Sequence, residues 1–161
     1  MPTAFDQAAL LAALDAEEIA LQVALARYSD MALTVTTRAD GWTAHDIVAH
    51  LSDSTYGLAL MLLGEIPVSL PVDPQTGWIS PHDYNEQRRQ KNAGLSREKL
   101  NQRIAGAFTA ARRAAAAEVD PTAPGPTGES FTRADWHQRA IDHIRGHRAE
   151  LEDLSNESSY R

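Results

Sequence analysis

The chain has 161 residues, 43% hydrophobic and 23% charged, with a net charge of -7 and no cysteine. This length favours one domain over residues 1–161, able to bury about two-thirds of its unfolded surface. The acidic balance, with basic residues only in short pairs such as Arg88-Arg89 and Arg112-Arg113 that read as solvated helix faces, argues against nucleic acid. Lack of cysteine excludes disulfides, thiolate metal sites and a cysteine nucleophile, so a metal needs His, Asp, Glu or backbone oxygen, and a reacting thiol must come from outside.

From the first residue, the chain shows acidic residues and no basic n-region, so no signal peptide is expected. No apolar stretch reaches the roughly 18 residues of a membrane span. The expectation is a cytoplasmic protein with neither a membrane nor a nucleic-acid partner. A first helix is predicted over residues 3–27, through Leu11, Leu14, Leu21, Leu25 and Tyr28. Residues 33–36 alternate too briefly to predict a strand.

A second helix, 44–63, opens with Thr43-Ala44-His45-Asp46, a capping-box pattern flanked by Trp42 and Ile47. Residues 65–78, with three prolines, predict a loop. Ser80-Pro81-His82-Asp83, flanked by Ile79 and Tyr84, repeats the cap and opens a third helix at Pro81. That helix breaks near Asn92-Ala93-Gly94 and resumes at Arg97 under a Ser96 cap, with Leu100, Ile104, Phe108 and Ala111 inward. Residues 119–130, rich in proline and glycine, predict another loop. Thr132-Arg133-Ala134-Asp135, flanked by Phe131 and Trp136, opens a fourth helix over 133–154, and 155–161 read as a frayed tail. The fold class expected is all-α, a four-helix bundle.

Three histidines form a pattern. His143 and His147, four apart, share one helix face on the stripe Trp136, Ala140, His143, His147, Leu151, Leu154. His50 holds an inward position on the stripe Ile47, His50, Ser54, Leu58, Met61. His50 lies about 10 Å past the start of its helix and His147 about 10 Å before the end of its own. If these helices run antiparallel, the three imidazoles share one height; if parallel, they are offset by about 6 to 12 Å. A shared metal therefore predicts antiparallel helices. With a long crossover after the second helix, the topology becomes up-down-down-up. His45, His82 and His137 read as surface or capping histidines. Asp53 and Asp142 read as surface carboxylates, although Asp53, three residues after His50, could serve as a base.

The run Trp42-Thr43-Ala44-His45-Asp46-Ile47-Val48-Ala49-His50-Leu51 resembles the motif that opens the second helix of DinB-like proteins. These include the mycothiol-dependent maleylpyruvate isomerases and bacillithiol-transferase relatives. Asp142-His143-Ile144-Arg145-Gly146-His147 is similar to their last-helix metal motif. Tyr84-Asn85-Glu86 and Leu95-Ser96-Arg97-Glu98-Lys99-Leu100 resemble the third-helix region of the isomerase branch. The resemblance implies an up-down-down-up bundle, often a homodimer, with zinc or nickel on His50, His143 and His147. Isomerases of the family often carry a carboxylate where this chain has His143, a departure from their pattern; the resemblance implies a thiol S-transferase or an isomerase.

Three neutral imidazoles with an open position suit a catalytic divalent ion, whereas structural zinc is usually closed by four protein ligands. A water in that position is acidified and a thiol is deprotonated. The first expectation is thus a metal-dependent enzyme that activates a low-molecular-weight thiol for transfer to a small electrophile. Metal-assisted hydrolysis ranks second. A metal-binding stress or interaction bundle without catalysis, and a plain dimerising bundle that binds metal incidentally, are further alternatives.

Overall fold

Five of the helices, among the described residues, start where a short polar side chain takes up a free backbone N–H. The computed structural model describes residues 5–67 and 81–158, and the side chains of all of these except 128–130 and 158. Helix α1 (Gln7–Leu25) opens at Asp6, whose carboxylate accepts from Ala9 N–H at 2.9 Å. Thr3, the expected start, lies outside the described residues. Thr43 and Asp46 complete a reciprocal capping box at 3.0 Å in each direction and open α3 (Ala44–Leu62). Ser96 caps α5 (Arg97–Ala116) by accepting from Lys99 N–H. Thr132 and Asp135 bond reciprocally at the start of α6 (Arg133–Ser158). The third predicted helix is two, α4 (Pro81–Asn92) and α5, broken where expected. Its Ser80 cap and Ile79, and residues 68–78 of the expected loop, lie outside the described residues.

One short element goes unpredicted, and two local expectations need correction. Residues 30–35 form a short helix, α2 (Asp30–Val35), capped by Ser29 and anchored by buried Leu33. Six residues are too few to display a helical period in sequence. The predicted loop at 119–130 contains a hairpin, β1 (Pro124–Gly125) with β2 (Gly128–Thr132). Gly125 makes it possible: a Cβ there would fall 2.1 Å from the Trp136 ring. The expected frayed tail is helical through Ser158, and Ser155 is buried.

Helix α3 stops cleanly at Gly64, which takes φ +71°. Its N–H bonds Met61 O, and Glu65 N–H bonds Leu60 O, the pair of bonds that closes a helix through a left-handed residue.

Side-chain pairs give the directions of the long helices. Gln7 reaches Ala115 and Ala116, Glu18 reaches Arg112, and Arg97 reaches the Tyr28 carbonyl, so α1 and α5 run oppositely. Asp53 meets Arg103 and Glu65 meets Arg113, so α3 and α5 run together. Leu62 O accepts from Arg133 at 2.6 Å while His50 meets His143, so α3 and α6 run oppositely. Phe5 packs on His137 and Tyr28 bonds Leu151 O, so α1 and α6 run together.

Between these helices lies a core of Leu21, Ile47, Val48, Leu51, Leu100, Ile104, Phe108, Ile141, Ile144 and Leu151, all almost fully buried. Ile47, Leu151 and Leu154 on the predicted stripes are buried as expected, but along the rest of α3 and α6 the inward face lies one residue away from those stripes. Val48, Leu51, Thr55, Ala59 and Leu62 face the core on α3, and Ile141 and Ile144 do so on α6. One residue turns a helix by about 100°. The stripes that carry His50, His143 and His147 therefore sit on the flank of the α3–α6 contact, at the edge of the core. No helix among the described residues is long and apolar enough to cross a membrane.

Candidate metal centre

His50 comes from the second turn of α3, and His143 and His147 from successive turns of α6. Opposed helix directions bring them to one level. His143 Nε2 lies 3.2 Å from His50 Nε2 and 3.1 Å from His147 Nε2. One nitrogen from each ring falls within 4.8 Å of the others, and among the described residues these three form the group that could hold a metal ion. All three side chains are half-buried.

The second nitrogens decide what the first ones offer. His147 Nδ1 is 2.9 Å from Glu150 Oε2, and a carboxylate only accepts. Nδ1 therefore carries the proton and Nε2 presents its lone pair to the centre. Ser54 Oγ donates to His50 O at 2.8 Å, which leaves it as an acceptor for His143 Nδ1 at 3.5 Å. His143 Nε2 then also faces inward as a lone pair. Two lone pairs 3.1 Å apart repel one another. Were His143 Nε2 protonated instead, its one proton would face two neighbours. A cation shared by the three nitrogens resolves both problems. Zinc–nitrogen bonds of about 2.0–2.1 Å at tetrahedral angles place ligand nitrogens about 3.3 Å apart, close to the two spacings that His143 Nε2 makes with its neighbours.

Electrostatics favour the same set. Burial, followed by the neighbouring His147, pushes His50 down to about 4. Burial, followed by His147 and His50, does the same to His143. Both are uncharged at neutral pH, the form in which imidazole binds metal.

A brace surrounds the trio. Arg38 bonds Glu150 at 3.0 Å and Asp40 at 2.6 Å, and its guanidinium lies over the Trp42 ring. The Trp42 ring meets His50 edge-on with centroids 5.6 Å apart. The turn before α3 therefore holds ligands on both helices. Glu150 had a legible signal, three residues after His147 on the same helix. Arg38 had none, because the contact exists only in the folded chain.

On the other side a cleft of about 580 Å³ opens against His50 and His143. Leu58, Met61, Ile66, Tyr84, Trp136 and Ala140 give it an apolar wall.

Two of the three histidines read as surface or capping groups are buried, at 5% exposure each, and the outcome differs from expectation for a physical reason. His45 is 2.7 Å from Leu95 O, so its Nε2 donates to a carbonyl at the α4–α5 break. His137 donates to Glu118, whose side chain is 1% exposed and also held by Arg133. Each has one fixed partner away from the trio. His82 is exposed, as expected. Asp53 is not a surface carboxylate: it is 19% exposed and binds Arg88, Arg103 and Asn92. Asp142 is exposed and accepts from Gln138. Arg88, Arg89 and Arg112 are held in ion pairs, whereas Arg113, 53% exposed, pairs with Glu65 on a solvated face as expected.

A family model of the DinB superfamily matches residues 13–151. Neither curated proteins nor solved structures return a match. With that match covering most of the chain and including His50, His143 and His147, the chain belongs to the DinB superfamily.

Proposed function

We propose that His50, His143 and His147 hold one divalent cation, zinc or nickel, at the centre of an enzyme that activates a low-molecular-weight thiol for transfer to a small electrophile. The observation that carries this reading is the convergence of three imidazole nitrogens beside a cleft. Three protein ligands leave a coordination position for a reactant. A divalent ion so bound supplies Lewis acidity and makes a coordinated thiol acidic.

The chain's own residues do the rest. Glu150 holds the His147 proton on Nδ1 and keeps Nε2 available. Trp42 and its cation partner Arg38 shield the back of His50. The apolar wall of Leu58, Met61 and Trp136 excludes water from one side of a reactant. With no cysteine in the chain, the thiol is a substrate.

Metal-assisted hydrolysis with Asp53 as base fits less well. Arg88, Arg103 and Asn92 already occupy both Asp53 oxygens.

Cobalt-substituted protein tests the thiol reading. Titration with a panel of small thiols is expected to perturb the visible cobalt bands and add a sulfur-to-cobalt charge-transfer band. A panel in which no thiol changes the spectrum, while acetate or another anion does, contradicts it.

A further inference from the structure

We infer that the cleft selects a reactant with an apolar body and a carboxylate, and that Arg139 is the residue that binds this carboxylate. The inference rests on the reading of the histidine trio as a catalytic centre, and it adds the class of substrate.

Three observations carry it. First, the cleft has a sign. Among the described residues its walls hold two arginines, Arg88 and Arg139, against one aspartate and no glutamate, in a chain of net charge -7. Asp53 is already paired with Arg88, Arg103 and the Asn92 amide, so it does not cancel Arg139.

Second, among the described residues no carboxylate lies within ion-pair distance of Arg139; Asp135, one turn earlier on α6, acts on it only at longer range and spends its Oδ2 on Thr132. Arg38, Arg88, Arg89, Arg97, Arg103 and Arg112, for comparison, each reach one within 4.0 Å. Arg139 instead lies over two rings, with its guanidinium carbon 4.5 Å from the Phe131 centroid and 5.2 Å from that of Trp136. Contact with ring faces restrains the guanidinium and leaves N–H groups at its edge. Those N–H groups match a carboxylate in two parallel hydrogen bonds.

Third, the spacing suits a single small molecule. Arg139 and His143 are four apart on α6, one turn or about 6 Å along the axis on the same face. A ligand whose carboxylate meets Arg139 lays its apolar part along Trp136 and Ala140 and brings its far end to His143. Tyr84 and Phe131, each exposed at 40%, supply aromatic surface at the mouth of the cleft and beside it.

The test uses full-length zinc-loaded protein, labelled with nitrogen-15, titrated with phenylacetate and with its uncharged amide, phenylacetamide. Dissociation constants come from chemical shifts, including that of the Arg139 side-chain N–H. Phenylacetate is expected to bind about tenfold more tightly than phenylacetamide, the scale of one hydrogen bond to a charged partner. Arg139→Gln is expected to remove that preference without lowering zinc content, and Arg139→Lys to restore part of it. Equal binding of the two probes overturns the inference. So does a preference that survives in Arg139→Gln, since the carboxylate would then be binding the ion alone. Zinc content, measured separately, tells the two readings apart. Protein that holds zinc but shows no Arg139-dependent preference refutes the substrate class and leaves the metal centre standing. Protein that shows the preference yet binds no zinc refutes the metal centre and leaves the carboxylate site.

Discussion

His147 Nδ1 and Glu150 Oε2 lie 2.9 Å apart, and the same carboxylate oxygen accepts from Arg38 at 3.0 Å. One carboxylate thus fixes a ligand's tautomer and ties it to the turn that precedes α3. Glu150→Ala is expected to weaken zinc binding by about 10- to 100-fold while leaving the fold intact, the usual cost of losing such a partner. Glu150→Gln, which keeps an acceptor oxygen, is expected to lose less. Competition with a chromogenic chelator measures both, and an unchanged affinity in Glu150→Ala shows that the carboxylate does not orient His147.

At the other end of α6, Glu118 binds Arg133 and His137 while almost wholly buried. Burial pushes this carboxyl up, but the hydrogen bonds from Arg133 and His137 outweigh it and hold Glu118 below its ordinary range. Glu118→Ala leaves both partners without an acceptor and is expected to cost about 3 kcal/mol in urea unfolding. Zinc stoichiometry is expected to stay at the wild-type value. A loss below about 1 kcal/mol indicates that solvent reaches this cluster.

Gly125 has no room for a side chain, since its Cβ would stand 2.1 Å from Trp136 Cδ1 and 2.4 Å from Nε1. Gly125→Ala is expected to lift the hairpin from Trp136, costing about 1–3 kcal/mol. Opening this packing hydrates a buried indole N–H that has no partner among the described residues. Tryptophan emission is therefore expected to shift to the red, and an unshifted spectrum with full stability contradicts the close packing.

Much of this centre could be read before folding. The Thr43 and Thr132 caps located both ligand-bearing helices, and the four-residue step from His143 to His147 put two rings on one face. What failed was finer than a helical turn. Ile47, Leu151 and Leu154 are buried as the stripes predict, but between them the inward face of α3 and α6 is ambiguous by one residue, because Val48 and Ile144 are as apolar as the positions beside them. Sequence alone could not separate the core face from the flank that carries the histidines. His45 and His137 were misread because their partners, Leu95 O and Glu118, come from segments distant in sequence or outside any regular period. Asp53 was misread for a related reason: Arg88, Arg103 and Asn92 converge on it only because α4 breaks at Asn92.

Acid is expected to destabilise the metal-free protein before its carboxylates titrate. His50 and His143 fall to about 4 in the folded chain, against 6.5 for the unfolded one. Between those values the unfolded chain binds more protons, so stability declines as pH drops from about 6.5 towards 4. His137, also lowered by burial, adds to the decline with the same sign. Glu17 and Glu118, held below their ordinary value, add theirs only below about 4.5. Urea midpoints of chelator-treated protein should therefore begin to fall above pH 5, and less steeply in His50→Gln/His143→Gln. Midpoints constant down to pH 4.5 contradict the neutral, buried state of these imidazoles.

Elemental analysis of protein purified without a histidine tag, incubated with excess zinc and then desalted, addresses the metal centre most directly. The expected result is one equivalent per wild-type chain, and well below one in each of His50→Ala, His143→Ala and His147→Ala, with helical circular dichroism retained. A full equivalent in His147→Ala, or a wild-type chain that keeps only a small fraction of one, contradicts a shared ion on these three residues.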